Sequence, residues 1–180
     1  MFDRLNTTIQ IGEWIPTSTQ NKFGVTVNGE FKGIHYMFAH SEDFIKVHEL
    51  IPAHARLHFC LSMMEINTVI PPHTDSGIKT AINIYLETSD CVTQFYDFGP
   101  NTPNTYQIGN QTDGVIYEEQ DLVESCSFIA KPNEIWVLDV TKPHSVKPRG
   151  ALSKRVAVTL ATNKYDFDQV CELLKERGVL

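Results

Sequence analysis

The sequence predicts a mainly β protein, a double-sheet jelly roll with an α-helix at either flank. Three observations carry this. Between residues 23 and 161 the chain breaks into short stretches rich in β-branched and aromatic residues. Clusters of Pro, Gly, Asn and Asp separate those stretches, as turns between strands require. Eight such stretches, with helical patterns outside them, suit a double-sheet jelly roll. At 180 residues with 42% hydrophobic content, the chain can close one sizeable core, so residues 1–180 are read as one domain.

Strands are placed near 23–28, 33–38, 56–66, 80–86, 92–97, 125–130, 134–139 and 154–161. Ser41 is the predicted cap of a helix over 42–50, with Glu42 and Asp43 at its positive end and Pro52 beyond its last turn. A second helix follows Asp166, where Gln169 completes a variant capping box and Phe167, Val170, Cys171 and Leu174 recur at helical spacing. Gly178 ends it.

Fifteen Lys and Arg stand against 22 Asp and Glu, a formal charge of -7, and the basic residues form no run suited to a phosphate backbone. Nucleic acid is therefore not an expected partner. No signal-like leader and no bilayer-length apolar run occur, so a soluble cytoplasmic protein is expected, without membrane contact. Cys60, Cys91, Cys126 and Cys171 include no CxxC pair and read as free thiols. Oligomeric state is left open.

The candidate chemistry starts at P-P-H-T-D-S-G, residues 71–77. On extended backbone His73 and Asp75 point to the same side, so an imidazole and a carboxylate converge. Such a triplet is common by itself, and a solvated turn capped by Asp75 accounts for it equally. A third ligand comes later: the strand E-I-W-V-L-D-V runs into T-K-P-H, presenting His144 just past its end. Two histidines and one carboxylate on one face of an octahedron suit non-haem Fe(II), whereas a structural zinc site wants four protein ligands. Eleven residues after His144, Arg155 opens K-R-V-A-V-T-L-A-T. Alternation sets Arg155, Ala157 and Thr159 on one face, which is read either as a small-walled pocket with a cationic end suited to a carboxylate or as an edge arginine reaching solvent.

Together, H-T-D at 73–75, P-H-S-V at 143–146 and R-V-A-V-T-L at 155–160 resemble the signature of the 2-oxoglutarate- and Fe(II)-dependent dioxygenase superfamily. The resemblance covers roughly residues 56–161. It implies a double-stranded β-helix of cupin-like form, Fe(II) on His73, Asp75 and His144, 2-oxoglutarate chelating the metal with its far carboxylate on Arg155, and O2 as the oxidant. It implies hydroxylation of a small-molecule or peptide substrate, with release of succinate and CO2. The sequence departs from an Arg-x-Ser pattern, since Ala157 stands two residues after Arg155. A hydroxyl or amide partner for the carboxylate is then sought from Thr159, Asn83 or Tyr85, with Ala81, Asn83 and Tyr85 sharing one face of their strand.

Residues 97–120, polar and turn-rich, are read as a long loop, either a plain surface connection or a cover that orders over the site when substrate binds. Trp136 and Tyr85 are expected core aromatics, and Trp14 is expected to pack the N-terminal extension on a sheet. Two other functions fit the same residues: a metal- and small-ligand-binding jelly roll without catalysis, and a cupin-type metalloenzyme that does not use 2-oxoglutarate.

Overall fold

Strand-forming stretches with one apolar face must bury it, and here they do so by folding the chain back and forth between two antiparallel sheets. The computed structural model describes residues 1–12, 15–27, 30–40, 42–100, 105–106, 114–150 and 154–180. The chain starts with β1 (Phe2–Arg4), β2 (Ile15–Val27), β3 (Glu30–His40) and β4 (Cys60–Ile66), all in the first sheet. It crosses to the second sheet for β5 (Ile70–Asp75) and returns for β6 (Thr80–Glu87). The strands β7 (Val92–Phe98), β8 (Thr105–Tyr106), β9 (Gly114–Tyr117) and β10 (Leu122–Ile129) lie in the second sheet. Finally β11 (Ile135–Asp139), β12 (His144–Lys147) and β13 (Arg155–Thr162) alternate between first, second and first.

The resulting orders are β1-β11-β6-β13-β4-β3-β2 and β10-β7-β12-β5-β9-β8. Eight strands, β4 to β7 and β10 to β13, make the four-on-four arrangement of a double-stranded β-helix. The predicted jelly roll is the fold.

Two apolar layers hold it. Between the sheets lie Ile66, Ile70, Tyr85, Phe95, Ile116 and Val146. On the outer face of the first sheet, Ile82, Ile84, Val137, Val158 and Leu160 pack against α1 (Phe44–His48) and α2 (Phe167–Glu176). Each such buried side chain contributes about 1.5–3 kcal/mol of transfer free energy, before the entropy of ordering is subtracted. The Asp166 carboxylate accepts from Gln169 N at 2.9 Å while Gln169 Oε1 accepts from Asp166 N at 3.1 Å, the expected box at the start of α2. Gly178, at φ +69°, follows its end. No helix among the described residues is long and apolar enough to cross a membrane.

The structure departs from the sequence reading in several places. Residues 56–58 form a 3-10 turn before β4 instead of its first strand residues. The first helix is shorter than 42–50, and the Asp43 carboxylate, instead of capping it, accepts from Gly12 N at 2.7 Å and pairs with Lys46. Ser41 and Trp14 lie outside the described residues. The N-terminal strands run well beyond 23–28 and 33–38 as one hairpin. β1, β5, β9 and β12 are too short or too rich in Pro and polar residues for periodicity to mark them as strands.

Residues 97–120 are the largest correction. Part of the stretch is strand: β9 pairs with β5, setting Ile116 against His73 and Gly114 against Asp75. Residues 101–104 and 107–113, where a cover would have its tip, lie outside the described residues. Gly114 sits at φ +142°, and a Cβ there would stand 1.7 Å from the Thr74 carbonyl oxygen. Gly77, at φ +72°, has nothing within 4 Å of a Cβ position. Gly114→Ala is therefore expected to destabilise the fold by more than Gly77→Ala, for which the backbone cost alone is about 1–2 kcal/mol. Paired thermal denaturation curves check the order; equal shifts would remove the close approach of β9 to β5.

Candidate functional site

His73 and Asp75 are two residues apart on β5, so the pleat sends both to the inner face. β12 pairs with β5 with His144 opposite His73. The two rings stand 4.3 Å apart between centroids. Asp75 Oδ1 lies 3.5 Å from His73 Nε2 and 4.0 Å from His144 Nε2. One ligand atom from each of the three residues falls within 4.8 Å of the others. Bonds of roughly 2.1 Å at right angles set donors about 3 Å apart, so small side-chain movements bring this group onto one metal. Only in one respect does the placement of His144 differ from expectation: it opens a strand of its own.

Each imidazole is oriented from behind. His73 Nδ1 lies 2.8 Å from the Pro71 carbonyl and His144 Nδ1 lies 3.0 Å from the Lys142 carbonyl. A carbonyl only accepts, so Nδ1 carries a proton in both rings and Nε2 is the atom turned to the centre. Burial, and next the neighbouring His73, pull the His144 ring down to about 4, which keeps it neutral near pH 7. Phe95 stacks on His144 at 5.5 Å and 27°. Asp75 is the most exposed of the three, its side chain 25% accessible.

The same cavity, about 310 Å³ in volume, reaches Arg155. Arg155 is only 4% exposed. Its Nη1 donates to Thr93 Oγ1 at 2.6 Å, and its guanidinium lies 5.3 Å from the centre of the Tyr85 ring. Its Nε is buried with no hydrogen-bond partner among the described residues. A buried cation with an orphaned donor is costly unless something anionic joins it. That donor set faces a cavity, so a carboxylate from a bound molecule fits it.

β13 sends Arg155, Ala157 and Thr159 inward and Val156, Val158 and Leu160 outward, the expected alternation. Its cross-strand partners sort the inner face into rows: Arg155 beside Ile66, then Ala157 between Met64 and Tyr85, then Thr159 between Ser62 and Asn83. Thr159 and Asn83 are thus two rows from Arg155, and Thr159 Oγ1 donates to Asn83 Oδ1 at 2.8 Å. Asn83 Nδ2 in turn donates to Tyr85 Oη at 3.4 Å. Of the three candidates for a second carboxylate partner, Tyr85 is the one against Arg155. The hydroxyl bonded to Arg155 belongs to Thr93. The signal for it was present in V-T-Q-F-Y-D-F, where strand alternation sets Thr93 and Phe95 on one face.

No family model and no curated protein matches the chain. Among solved structures it is similar to E. coli ycfD, at 10% identity and a TM-score of 0.43, over 78% of this chain and 36% of that one. It is also similar to the Acinetobacter sp. DL28 L-ribose isomerase solved with L-ribose, at 17% identity and a TM-score of 0.34, over 62% of this chain and 53% of that one. A third is the Cellulomonas parahominis L-ribose isomerase solved with L-psicose, at 15% identity and a TM-score of 0.39, over 83% of this chain and 74% of that one. The chain spans little more than a third of the first and about half of the second. The fold assignment rests on the strand order and not on these likenesses.

If His73, Asp75 and His144 form one metal site, each alanine variant should weaken divalent metal binding by roughly a hundredfold or more, while the protein without metal stays folded because its core is apolar and large. Anaerobic Fe(II) titration with circular dichroism on the same samples checks both. Parent-like affinity in His144→Ala would remove that residue from the site.

Proposed function

We propose that the chain is an Fe(II)- and 2-oxoglutarate-dependent oxygenase that hydroxylates its substrate. The observation that supports this best is the buried Arg155 guanidinium, its Nε without a partner among the described residues, in the same cavity as a His-Asp-His cluster. A histidine pair with one carboxylate suits Fe(II) and leaves positions for other ligands. The arginine suits the far carboxylate of 2-oxoglutarate. When bound, iron with 2-oxoglutarate and O2 supplies the oxidising power, and 2-oxoglutarate leaves as succinate and CO2.

The chain's own residues bind, orient and exclude water. His73, Asp75 and His144 hold the metal, and the carbonyls of Pro71 and Lys142 fix both rings with Nε2 inward. Arg155 and Thr93 anchor the co-substrate at the closed end, with Tyr85 covering the guanidinium. Ile66, Ile70 and Val146, at 2%, 0% and 3% exposure, line that end and keep water from it. A dry pocket strengthens the Arg155 pairing and protects reactive species from side reactions.

Succinate formation dependent on Fe(II), O2 and 2-oxoglutarate is the primary test. Binding of 2-oxoglutarate without any succinate over a broad substrate screen would leave a binding module, and O2 uptake indifferent to 2-oxoglutarate would leave a cupin-type metalloenzyme. Arg155→Gln should weaken 2-oxoglutarate binding by roughly a hundredfold with metal affinity nearly unchanged, the cost expected for losing one partner of a buried charge pair. Thr93→Val, which removes the hydroxyl that accepts from the guanidinium and helps to position it, should cost about tenfold. Calorimetric titration of the metal-loaded variants measures both.

A further inference from the structure

Resting on the co-substrate reading of Arg155, the cavity also carries information about the primary substrate. Its two ends differ in chemistry. One end holds Arg155, Thr93 and the His-Asp-His cluster, while β3 and β4 form a side wall that runs from the Ile34–Ile66 pair beside Arg155 outward. There Ile34, Tyr36 and Phe38 follow one another on one face of β3, with Tyr36 paired to Met64. Ile78, which packs with the inter-sheet core, lines the cavity as well. Phe38 is 57% exposed although it belongs to this wall, as expected for an apolar side chain at an entrance.

Among the described residues, the only charged side chains lining the cavity are Asp75 and Arg155. Both are committed, one to the metal and the other to the co-substrate. No counter-ion then remains for a charged substrate, and burying an unpaired charge is strongly unfavourable. In the one polar row beyond the metal Thr159 donates to Asn83 and Asn83 donates to Tyr85, so the Ser62 hydroxyl is the other polar group that row presents. A polyol would find few groups there to replace its water. The remaining walls are aliphatic, aromatic or small, with Ala161 between Cys60 and Ala81 in the next row. A cavity of about 310 Å³, partly filled by co-substrate, limits the size of what enters.

We propose that the primary substrate is a small, uncharged, mainly apolar molecule received by the Tyr36–Phe38 face of β3. Tyr36 and Phe38 are then specificity-determining residues, contacting substrate and not co-substrate. Both lie on β3, with β4 between them and the Arg155 strand, Tyr36 in the Met64–Ala157 row and Phe38 two residues further along, so their removal leaves the anionic end intact.

The test uses the full chain loaded with Zn(II) and saturated with 2-oxoglutarate, so that no turnover occurs. Four probes differ in charge and polarity: p-cresol, p-toluate, 4-methylbenzylammonium and ribose. Ligand-observed NMR competition is expected to rank p-cresol at least tenfold tighter than the other three. Tyr36→Ala and Phe38→Ala are each expected to weaken p-cresol by about tenfold, with 2-oxoglutarate affinity unchanged as the check on folding. Charged probes that bind as tightly as p-cresol, or p-cresol binding untouched by both variants, overturn the inference. Titration of 2-oxoglutarate on the same samples separates the two failures. A chain that does not bind 2-oxoglutarate overturns the proposed function, whereas one that binds it without preferring p-cresol overturns the substrate class alone.

Discussion

The pairing of β12 with β5 is the constraint on which the site depends. It sets His144 directly across from His73, and the pleat then sends Asp75 to the same side two residues further along β5. A slip of one residue in that register would turn His144 outward and replace it by Ser145 or a neighbour. The register is held on both sides: β12 also pairs with β7, with His144 beside Phe95, and β5 also pairs with β9, with His73 beside Ile116. Both neighbours are fully buried apolar residues, so a slipped strand would lose core packing along with the cluster.

Charge placement gives the cavity its direction. A guanidinium at 4% exposure whose partners among the described residues are an uncharged hydroxyl and a ring, with no carboxylate, is a poor arrangement for stability alone. Its surroundings make sense for binding: a pre-oriented cation, held by Thr93 and Tyr85, in a mainly apolar pocket whose other charged group among the described residues is Asp75 of the His-Asp-His cluster. Outward from it the rows become apolar, polar but internally satisfied, and then small. The hairpin of β2 and β3 lies beside β4 in the first sheet, and Ile34, Tyr36 and Phe38 of β3 supply one wall of the cavity.

The N-terminus completes the opposite part of the core. Phe2 reaches from β1 to rings at 5.5 Å from Phe95, 4.7 Å from Phe128 and 5.6 Å from Trp136. Phe128 and Trp136 stack at 4.1 Å and 12°. This aromatic block stands behind Phe95, which itself stacks on His144, so packing at the N-terminal strand continues directly to the back of a candidate metal ligand.

Read alone, the amino-acid sequence determined the mainly β character, the capping box at Asp166, the shared face of His73 and Asp75, and the inward alternation of Arg155, Ala157 and Thr159. These are properties of two to eight consecutive residues, for which pleat geometry or helix periodicity suffices. Only the tertiary structure decided that His144 opens a strand instead of trailing one, that Thr93 supplies the hydroxyl on Arg155, and that Thr159 and Asn83 satisfy each other. It also decided that part of 97–120 is a strand braced on β5 through Gly114. Those facts depend on which strands become neighbours across 62 and 76 positions of sequence, as in the Arg155–Thr93 and Thr159–Asn83 bonds. Local pattern fixes which way a side chain points from its own strand; the partner it meets is set by sheet order and register, which are decided when the whole core packs.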